Sequence, residues 1–217
     1  MTDKSSYCTF YIVRHGEAEG NALGLMQGHY DVPLTEKGKA QIEDLSIKLK
    51  DIIFDAAYSS DLLRTKQTAE ILSKERKLAV QTSHLIRERH FGAFEGKPAG
   101  EYERRAVEAK EELANLTNAM GKTHHDLMGA ENDMKLISRT LTFLREIAVI
   151  NPSKTVLVVA HGGLMRVLIS HIDPERFGKL PSGSVKNGAF VKMLADGTDF
   201  FIEETSGVEA IIKSPKV

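Results

Sequence analysis

The chain has 217 residues, 41% of them hydrophobic, which suits one domain with a sizeable core. Its 29 Lys and Arg against 30 Asp and Glu exclude the basic surplus that draws proteins onto nucleic acid or anionic lipid. The single cysteine, Cys8, excludes an intrachain disulfide. No apolar run resembles a signal peptide or a membrane span. We therefore expect a soluble cytoplasmic protein, a single domain over 1–217, that binds neither nucleic acid nor membrane.

The first predicted elements are a strand and a helix. Residues 8–13 (CTFYIV) are apolar, aromatic or β-branched and lack a helical period, which predicts a buried strand. Apolar residues then recur at helical spacing within 31–51, where Thr35 is a plausible N-cap. The helix would pack on one face of a sheet.

The alternation continues and then stops. A second strand is predicted at 54–60, and Ser60 can cap the helix that follows, which places Arg64 in its first turn. A weaker strand is predicted at 79–84. The next stretch is charged and contains glycines, so we expect a lid or insertion at about 93–133. Within it, 101–116 is helical in composition, and the composition of 121–133 is typical of a loop.

The last third of the chain restores the alternation. Its patterns predict a helix, a strand, a second helix and an edge hairpin, at 134–150, 155–160, 163–171 and 188–204. The tail at 211–217 is expected to be loosely held. Alternating strands and helices predict an α/β fold, a three-layer α/β/α sandwich with a mostly parallel central sheet.

Arginine and histidine stand where the two strongest strands stop. Arg14 and His15 end the first strand, and His161 follows the strand at 155–160. Ligands of parallel sheets collect beyond the carboxyl ends of the strands. Arg64 can reach the same edge from its helix start, where backbone amides also favour an anion. Two guanidiniums and two imidazoles are therefore expected to meet there.

A phosphoryl group suits this set of side chains. Planar guanidinium groups give it bidentate, charge-assisted hydrogen bonds. A neutral imidazole, with an ordinary pKa of about 6.5, is a competent nucleophile near pH 7. The scheme requires no metal and no other cofactor. Glu88, in the segment that breaks the regular pattern, is the best candidate for giving the leaving alkoxide its proton.

Each residue alone also has a structural explanation. A histidine beside a glycine at a strand end is more often a satisfied polar residue than a nucleophile. Arg64 in a first helical turn is usually solvated, and Glu88 among arginines is usually in a surface ion pair. Their combination at one edge of the sheet is what favours catalysis.

Five motifs in order resemble the histidine phosphatase superfamily, which has the phosphoglycerate mutase-like fold. They are VRHGEAEGN, QGHYDVPLTEKG, YSSDLLRTKQTAEIL, RERHFGAFEGK and VVAHGG. The resemblance spans roughly Phe10 to Gly163, with KNGAF a weaker echo near Asn187. Five ordered motifs make chance agreement improbable.

The resemblance implies a role for each central residue. His15 would be the nucleophile that becomes phosphohistidine, and Glu88 the proton donor. The phosphate pocket would be lined by Arg14, Arg64 and His161. Implied or candidate contacts to the substrate are Asn21, Gln27, Gly28, Arg89, His90, Lys97 and the backbone amide of Gly162. Asn21 would bind a phosphate oxygen, and Lys97 a second anionic group of the substrate.

The branch within the superfamily is indicated by two motifs. SSDLLRTKQT and RERHFGAFEGK are similar to the fructose-bisphosphatase-like glycolysis and apoptosis regulator, whose relatives hydrolyse phosphorylated sugars and glycerates. ERHFG also resembles the cofactor-dependent phosphoglycerate mutases, whose lids usually carry extra basic residues. Arg104 and Arg105 could imitate those residues, but solvation is their default interpretation. One departure is GAEND, with Ala130 inserted and Asn132 where many members have the serine of Gly-Glu-Ser.

We therefore predict a metal-independent phosphomonoester hydrolase acting through phosphohistidine on a small phosphorylated metabolite, of the sugar phosphate or phosphoglycerate class. The alternatives are a phosphoglycerate mutase and a catalytically idle phosphate-binding regulator. Two further patterns carry less weight. GAFEGK has too few residues between its glycines for a nucleotide-binding P-loop. The histidines and aspartate at 124–126 could bind a metal ion, but adjacent histidines in a loop are more often solvated.

Overall fold

The structure, a computed structural model, describes residues 7–116 and 121–209. The predicted tail at 211–217 and positions 117–120 of the predicted lid lie outside this part of the chain. The strands are Cys8–Arg14 (β1), Ala56–Ser59 (β2), Val80–Thr82 (β3), Thr155–Ala160 (β4), Val185–Ala195 (β5) and Phe200–Val208 (β6). The helices are Glu19–Ala22 (α1), Glu36–Lys48 (α2), Leu63–Ser73 (α3), Ala99–Asn115 (α4), His124–Leu127 (α5), Asp133–Ile150 (α6), Gly162–Ile172 (α7) and Pro174–Phe177 (α8).

One sheet of six strands, in the order β3-β2-β4-β1-β5-β6, carries these elements. The first four strands run parallel, whereas β5 is antiparallel to β1 and β6 is antiparallel to β5. The predicted edge hairpin is therefore confirmed. In the pair β1 and β4, Arg14 lies opposite Ala160, so the residues that follow, His15 and His161, leave the sheet side by side.

Apolar residues on both faces of the sheet form the core. Successive side chains of a strand point to opposite faces. Phe10 and Ile12 of β1 pack in the cluster that includes α6 and α7. Tyr11 and Val13 pack instead in the cluster that includes α2 and α3. The predicted three-layer sandwich is confirmed, and β1 is held from both sides immediately before it delivers His15.

The helix starts were predicted with mixed success. Thr35 caps α2 as expected, because its side chain accepts a hydrogen bond of 3.0 Å from the amide of Gly38. Ser60 does not cap α3; the helix begins after Leu62, and the Ser60 hydroxyl is directed to His161 instead.

The departure from the family motif at Asn132 lies at the start of α6. The Asn132 side chain caps this helix by accepting a hydrogen bond of 2.9 Å from the amide of Lys135. The residue in the place of the family's serine is therefore an equally good N-cap.

The region predicted as a lid is mostly helical where it is described. The stretch at 121–133, expected as a loop, contains α5 as well. Tyr102, Ala106 and Ala109 of α4 form a small apolar cluster with Met128 and Ala130, separate from the two clusters on the sheet. Covering of the site by this region stays a prediction. No helix within 7–116 and 121–209 is long and apolar enough to span a bilayer.

Candidate active site

His15 and His161 lie next to each other at the carboxyl end of the sheet. Their ring centroids are 5.3 Å apart, with the rings edge to face. Both side chains are buried. The parallel register explains the contact, since the amide of His15 donates to the carbonyl of Ala160 at 3.1 Å.

The surroundings of His15 fix which ring nitrogen carries the proton. Nδ1 lies 2.7 Å from the carbonyl oxygen of Gly16, which can only accept, so Nδ1 is the donor and Nε2 keeps a free lone pair. Asn187 adds a further restraint by donating to the His15 carbonyl at 3.0 Å. Burial, together with the charges of Arg64 and Arg14, lowers the pKa of His15 well below its usual 6.5. The ring is therefore a neutral imidazole with its lone pair available.

His161 is held differently, through the hydroxyl of Ser60. Its Nε2 lies 2.7 Å from Ser60 Oγ, while Nδ1 is buried and has no hydrogen-bond partner in the described chain. Ser60 Oγ is 2.7 Å from Thr65 Oγ1 as well. Burial and the charge of Arg64 lower the pKa of His161 well below 6.5. Ser60 is a site residue that the sequence analysis missed, although its place just after β2, the neighbour of β4, was a usable signal.

The two arginines donate hydrogen bonds from terminal guanidinium nitrogens to backbone carbonyls of the protein. Arg14 donates through Nη1 to the carbonyl of Val185. Arg64, which is 1% exposed, donates to the carbonyls of Gly28 at 2.7 Å and Tyr30 at 3.1 Å. In both, Nε is buried without a partner among the described residues. Burial lowers the pKa of Arg64 to about 10, which still leaves it charged at neutral pH.

Glu88 reaches the start of α7, next to His161. Its carboxylate accepts hydrogen bonds from the amides of Gly163 at 2.8 Å, Leu164 at 3.0 Å and Arg89 at 2.7 Å. The first amides of a helix lack partners within the helix, so a carboxylate there is well placed. The sequence predicted Glu88 for the site, but not its contact with the start of α7.

The unpartnered atoms of the site suit a phosphoryl group. Nε of Arg14, Nε of Arg64 and Nδ1 of His161 are buried polar atoms, and such atoms are nearly always hydrogen-bonded in folded proteins. Together with the free Nε2 of His15, they provide a nucleophile and nearby donors for anionic oxygens. This arrangement can attack a phosphorus atom and stabilise the charge on its oxygens.

Four predicted substrate contacts have defined surroundings. The side-chain oxygen of Asn21 accepts a hydrogen bond of 3.0 Å from the backbone amide of Ala18. This bond does not use the side-chain nitrogen of Asn21, which is the atom that would donate to a phosphate oxygen. Gln27 is buried, and the oxygen of its side chain has no partner among the described residues.

The two glycines among the predicted contacts each lie against an arginine. The carbonyl of Gly28 accepts a hydrogen bond from Arg64. At Gly162 an added Cβ would lie 2.9 Å from Arg14 Nε, so glycine permits the close approach of that guanidinium. Their contacts to a substrate stay predictions.

The remaining three candidates have less direct relations to the histidines. Arg89 is 1% exposed, and its terminal nitrogens donate to the carbonyl of Glu131 and the carboxylate of Asp133. This engagement does not favour the predicted contact of Arg89 with substrate, and the other two candidates, His90 and Lys97, are exposed side chains.

The histidine pair at 124–125 belongs to α5. His125 Nδ1 lies 2.7 Å from the hydroxyl of Tyr102, and Asp126 accepts from Thr123 at the start of the helix. Within the described ranges no group of three or more His, Cys, Asp or Glu side chains is placed to hold a metal ion.

Comparisons with known proteins agree with the motifs. The family model described as histidine phosphatase superfamily, branch 1, matches residues 10–206. The chain is 34% identical over 172 residues to phosphoglycerate mutase-like protein 4 of Arabidopsis thaliana, covering 78% of this chain and 73% of the relative. It is 27% identical to fructose-2,6-bisphosphatase TIGAR B of Danio rerio, covering 95% and 90%.

A solved structure agrees as well. The phosphoglycerate mutase from Bacillus anthracis superposes with a TM-score of 0.78 at 28% identity, over 94% of this chain and 95% of that one. The predicted fold and resemblance are thereby confirmed. The chain belongs to the histidine phosphatase superfamily, branch 1, and is by family membership a histidine phosphatase.

Proposed function

We propose that the chain hydrolyses phosphomonoesters of small phosphorylated metabolites through a phosphohistidine at His15. The observation that carries the proposal is the free Nε2 of His15 among the unpartnered buried atoms of Arg14, Arg64 and His161. Buried polar atoms without partners destabilise the folded state, so a site that keeps several of them together is best explained by a ligand that binds them.

The first chemical step transfers the phosphoryl group to the enzyme. His15 Nε2 attacks phosphorus, the Nε2–P bond forms, and the P–O bond to the leaving group breaks with its electron pair on that oxygen. Arg14, Arg64 and His161 bind the phosphoryl oxygens, whose negative charge is spread in the transition state. Glu88, at the start of α7, enters this step as the carboxylic acid and gives its proton to the leaving oxygen, which leaves the carboxylate.

The second step returns the enzyme to its starting state. A water molecule attacks the phosphohistidine, Glu88 takes up a proton from that water, and the Nε2–P bond breaks. Inorganic phosphate leaves, and His15 is again a neutral imidazole with its proton on Nδ1. In both steps the proton on Nδ1 is hydrogen-bonded to the carbonyl of Gly16, so Nε2 stays unprotonated and can bond to phosphorus.

The substrate class we propose is that of sugar phosphates and phosphoglycerates. Support comes from the similarity to the Danio rerio relative, a fructose-2,6-bisphosphatase of which this chain covers 90%. The proposed lid, at 93–133, packs through its apolar cluster against Met26 and Phe91, which are neighbours of Gln27 and His90. Residues of this lid are the ones expected to select among phosphate esters.

A phosphoglycerate mutase is the second candidate, because the Bacillus anthracis structure carries that name. The charges on α4 argue for hydrolysis instead. Arg105 is paired with Glu112 of the same helix at 2.9 Å, and Arg104 is exposed. Arg105 is engaged within its own helix and Arg104 faces solvent, so neither favours the basic lid residues that are usual in the mutases. An idle binding protein is disfavoured by the presence of all five central side chains.

A phosphate-release screen in EDTA tests the proposal. The substrates are sugar bisphosphates, phosphoglycerates, phosphoserine and nucleoside monophosphates, with His15→Ala as the control. We expect release from a sugar phosphate or a phosphoglycerate and none from the variant. Conversion of 3-phosphoglycerate into 2-phosphoglycerate without release of phosphate would replace hydrolase by mutase, and silence on every substrate would favour a binding role.

A further inference from the structure

Arg139 of α6 joins the segment that presents Glu88 to the side chain of Glu131. Nη1 donates to the carbonyls of Leu85 at 2.8 Å and Arg87 at 2.7 Å, and Nη2 donates to the carbonyl of Glu88 at 2.9 Å. Nε and Nη2 also bind the two carboxylate oxygens of Glu131, at 2.7 and 2.8 Å. Of these five hydrogen bonds, three therefore hold the segment and two hold Glu131.

Glu131 extends the same network in the other direction. Its carboxylate accepts from the amide of His90 at 3.2 Å, and its own amide donates to the His90 carbonyl at 2.8 Å. Its carbonyl accepts from Arg89. The ion pair is largely shielded, with 18% of the Arg139 side chain and 14% of the Glu131 side chain exposed. Salt therefore screens it less than a surface pair.

This network supplies hydrogen bonds to a segment that lacks those of a helix or a strand. The short 3-10 helix His84–Ile86 ends just before Arg87, and residues 87–90 belong to no helix or strand. Backbone groups without regular partners need side chains to satisfy and fix them. Arg139 binds two carbonyls of this stretch, those of Arg87 and Glu88, and that of Leu85 just before it. It does so through a planar, rigid fork, which the single ammonium of lysine would not reproduce.

We propose that Glu131 and Arg139, here called the clamp, position Glu88 for proton transfer to the leaving group. Arg139 binds the backbone carbonyl of Glu88, whereas the Glu88 side chain reaches Gly163 and Leu164 on the other side. The clamp is thus a positioning device that reaches Glu88 through its backbone carbonyl. The inference rests on the proposed role of Glu88 as the acid.

A leaving-group comparison separates positioning from general stability. Arg139→Gln is compared with wild type on an alkyl phosphate and on 4-nitrophenyl phosphate, whose leaving group needs little protonation. We expect kcat/KM to fall roughly 10- to 100-fold for the alkyl ester and less than about 3-fold for the nitrophenyl ester. Since both residues act through one group, adding Arg139→Gln to Glu88→Gln should lower the alkyl rate by less than about 3-fold more.

Arg76→Gln is the matched control. Arg76 also donates to two carbonyls, those of Leu72 at 2.7 Å and Leu49 at 2.6 Å, but it joins α2 and α3. Its loss should leave the ratio of the two rates unchanged. Glu131→Gln, which keeps one acceptor oxygen, is the milder second variant in case Arg139→Gln does not fold. Equal slowing of both esters, or a full additional loss in the Glu88→Gln background, would overturn the clamp.

Hydrogen exchange gives a readout that does not need turnover. Peptides covering 85–91 and 161–165 are followed by mass spectrometry in wild type, Arg139→Gln, Glu131→Gln and Arg76→Gln. If the clamp holds Glu88, its two variants exchange faster in both peptides, because the amides of Gly163 and Leu164 lose their carboxylate acceptor. Unchanged exchange at 161–165 contradicts the clamp. A wild type without phosphatase activity contradicts the proposed function instead.

Discussion

The rings of His15 and His161 lie 5.3 Å apart and both are buried beside Arg14 and Arg64. A proton on either ring would be repelled by two guanidiniums and poorly solvated, so the fold holds both rings neutral. That neutrality suits a nucleophile at one position and a hydrogen-bonding partner for phosphate at the other.

The neutral pair makes stability depend on pH. Because their folded-state pKa values are depressed, His15 and His161 contribute stability that is present above the unfolded pKa and is lost as pH falls. Below about pH 6.5 the unfolding free energy should fall by up to about 1.4 kcal/mol per pH unit for each histidine. Urea unfolding from about pH 7.5 to about pH 5 measures this slope. His15→Asn should flatten it, and an unchanged slope in the variant would contradict the assignment.

Ser60→Ala removes the partner of His161 Nε2. We expect a loss of about 1–3 kcal/mol in unfolding free energy, since a buried nitrogen is left unsatisfied. We also expect roughly tenfold slower turnover from the misplaced ring. Ser170→Ala is the control, because Ser170 accepts a hydrogen bond from Leu180 away from the histidine pair. Full activity of Ser60→Ala would show that the hydroxyl has no part in placing His161.

Gly163→Ala should move the proposed acid. An added Cβ would lie 2.6 Å from Glu88 Oε1, closer than carbon and oxygen can pack, so the carboxylate must shift. We expect alkyl phosphate hydrolysis to slow by roughly 10- to 100-fold. Gly100→Ala in α4, where nothing lies within 4 Å of the added Cβ, should keep full activity and gain up to about 1 kcal/mol in stability. Equal rates in the two variants would argue against Glu88 as the acid.

Arg64→Lys tests the phosphate pocket through the binding of inorganic phosphate, which requires no turnover. The lysine keeps the charge but has no Nε at the buried position, so inorganic phosphate should bind at least about tenfold more weakly, a loss of about 1.4 kcal/mol. The readout is the rise of the melting temperature with phosphate concentration, which removes any change in baseline stability. Arg105→Gln, on the exposed face of α4, should bind phosphate as the wild type does. A normal phosphate response in Arg64→Lys would remove Arg64 from the pocket.

Local patterns in the sequence predicted the frame of the site better than its internal contacts. The apolar runs of β1 and β4 and the rule for parallel strand ends were enough to predict that His15 and His161 lie at one edge. The Ser60 contact joins residues 101 positions apart, and the bond from Arg139 to the Leu85 carbonyl spans 54 positions. Neither leaves a periodic signal, because each depends on how separate elements pack.

The edge hairpin shows the same limit on a smaller scale. Strand β5 begins at Val185, three residues before the predicted segment at 188. Polar Lys186 and Asn187 interrupt the apolar pattern, and the pairing with β6 shifts register between Val185 and Phe190. The Asn187 side chain donates to the carbonyl of His15. The two polar residues thus hid the start of the strand.

Phosphorylation of His15 can be observed by trapping the enzyme during turnover with a phosphorylated substrate carrying labelled phosphate. Quenching in alkali preserves phosphohistidine, and digestion locates the label. We expect one acid-labile phosphate in the peptide that contains His15, and none in His15→Ala. Turnover without such a label, or a label on the peptide of His161, would contradict it.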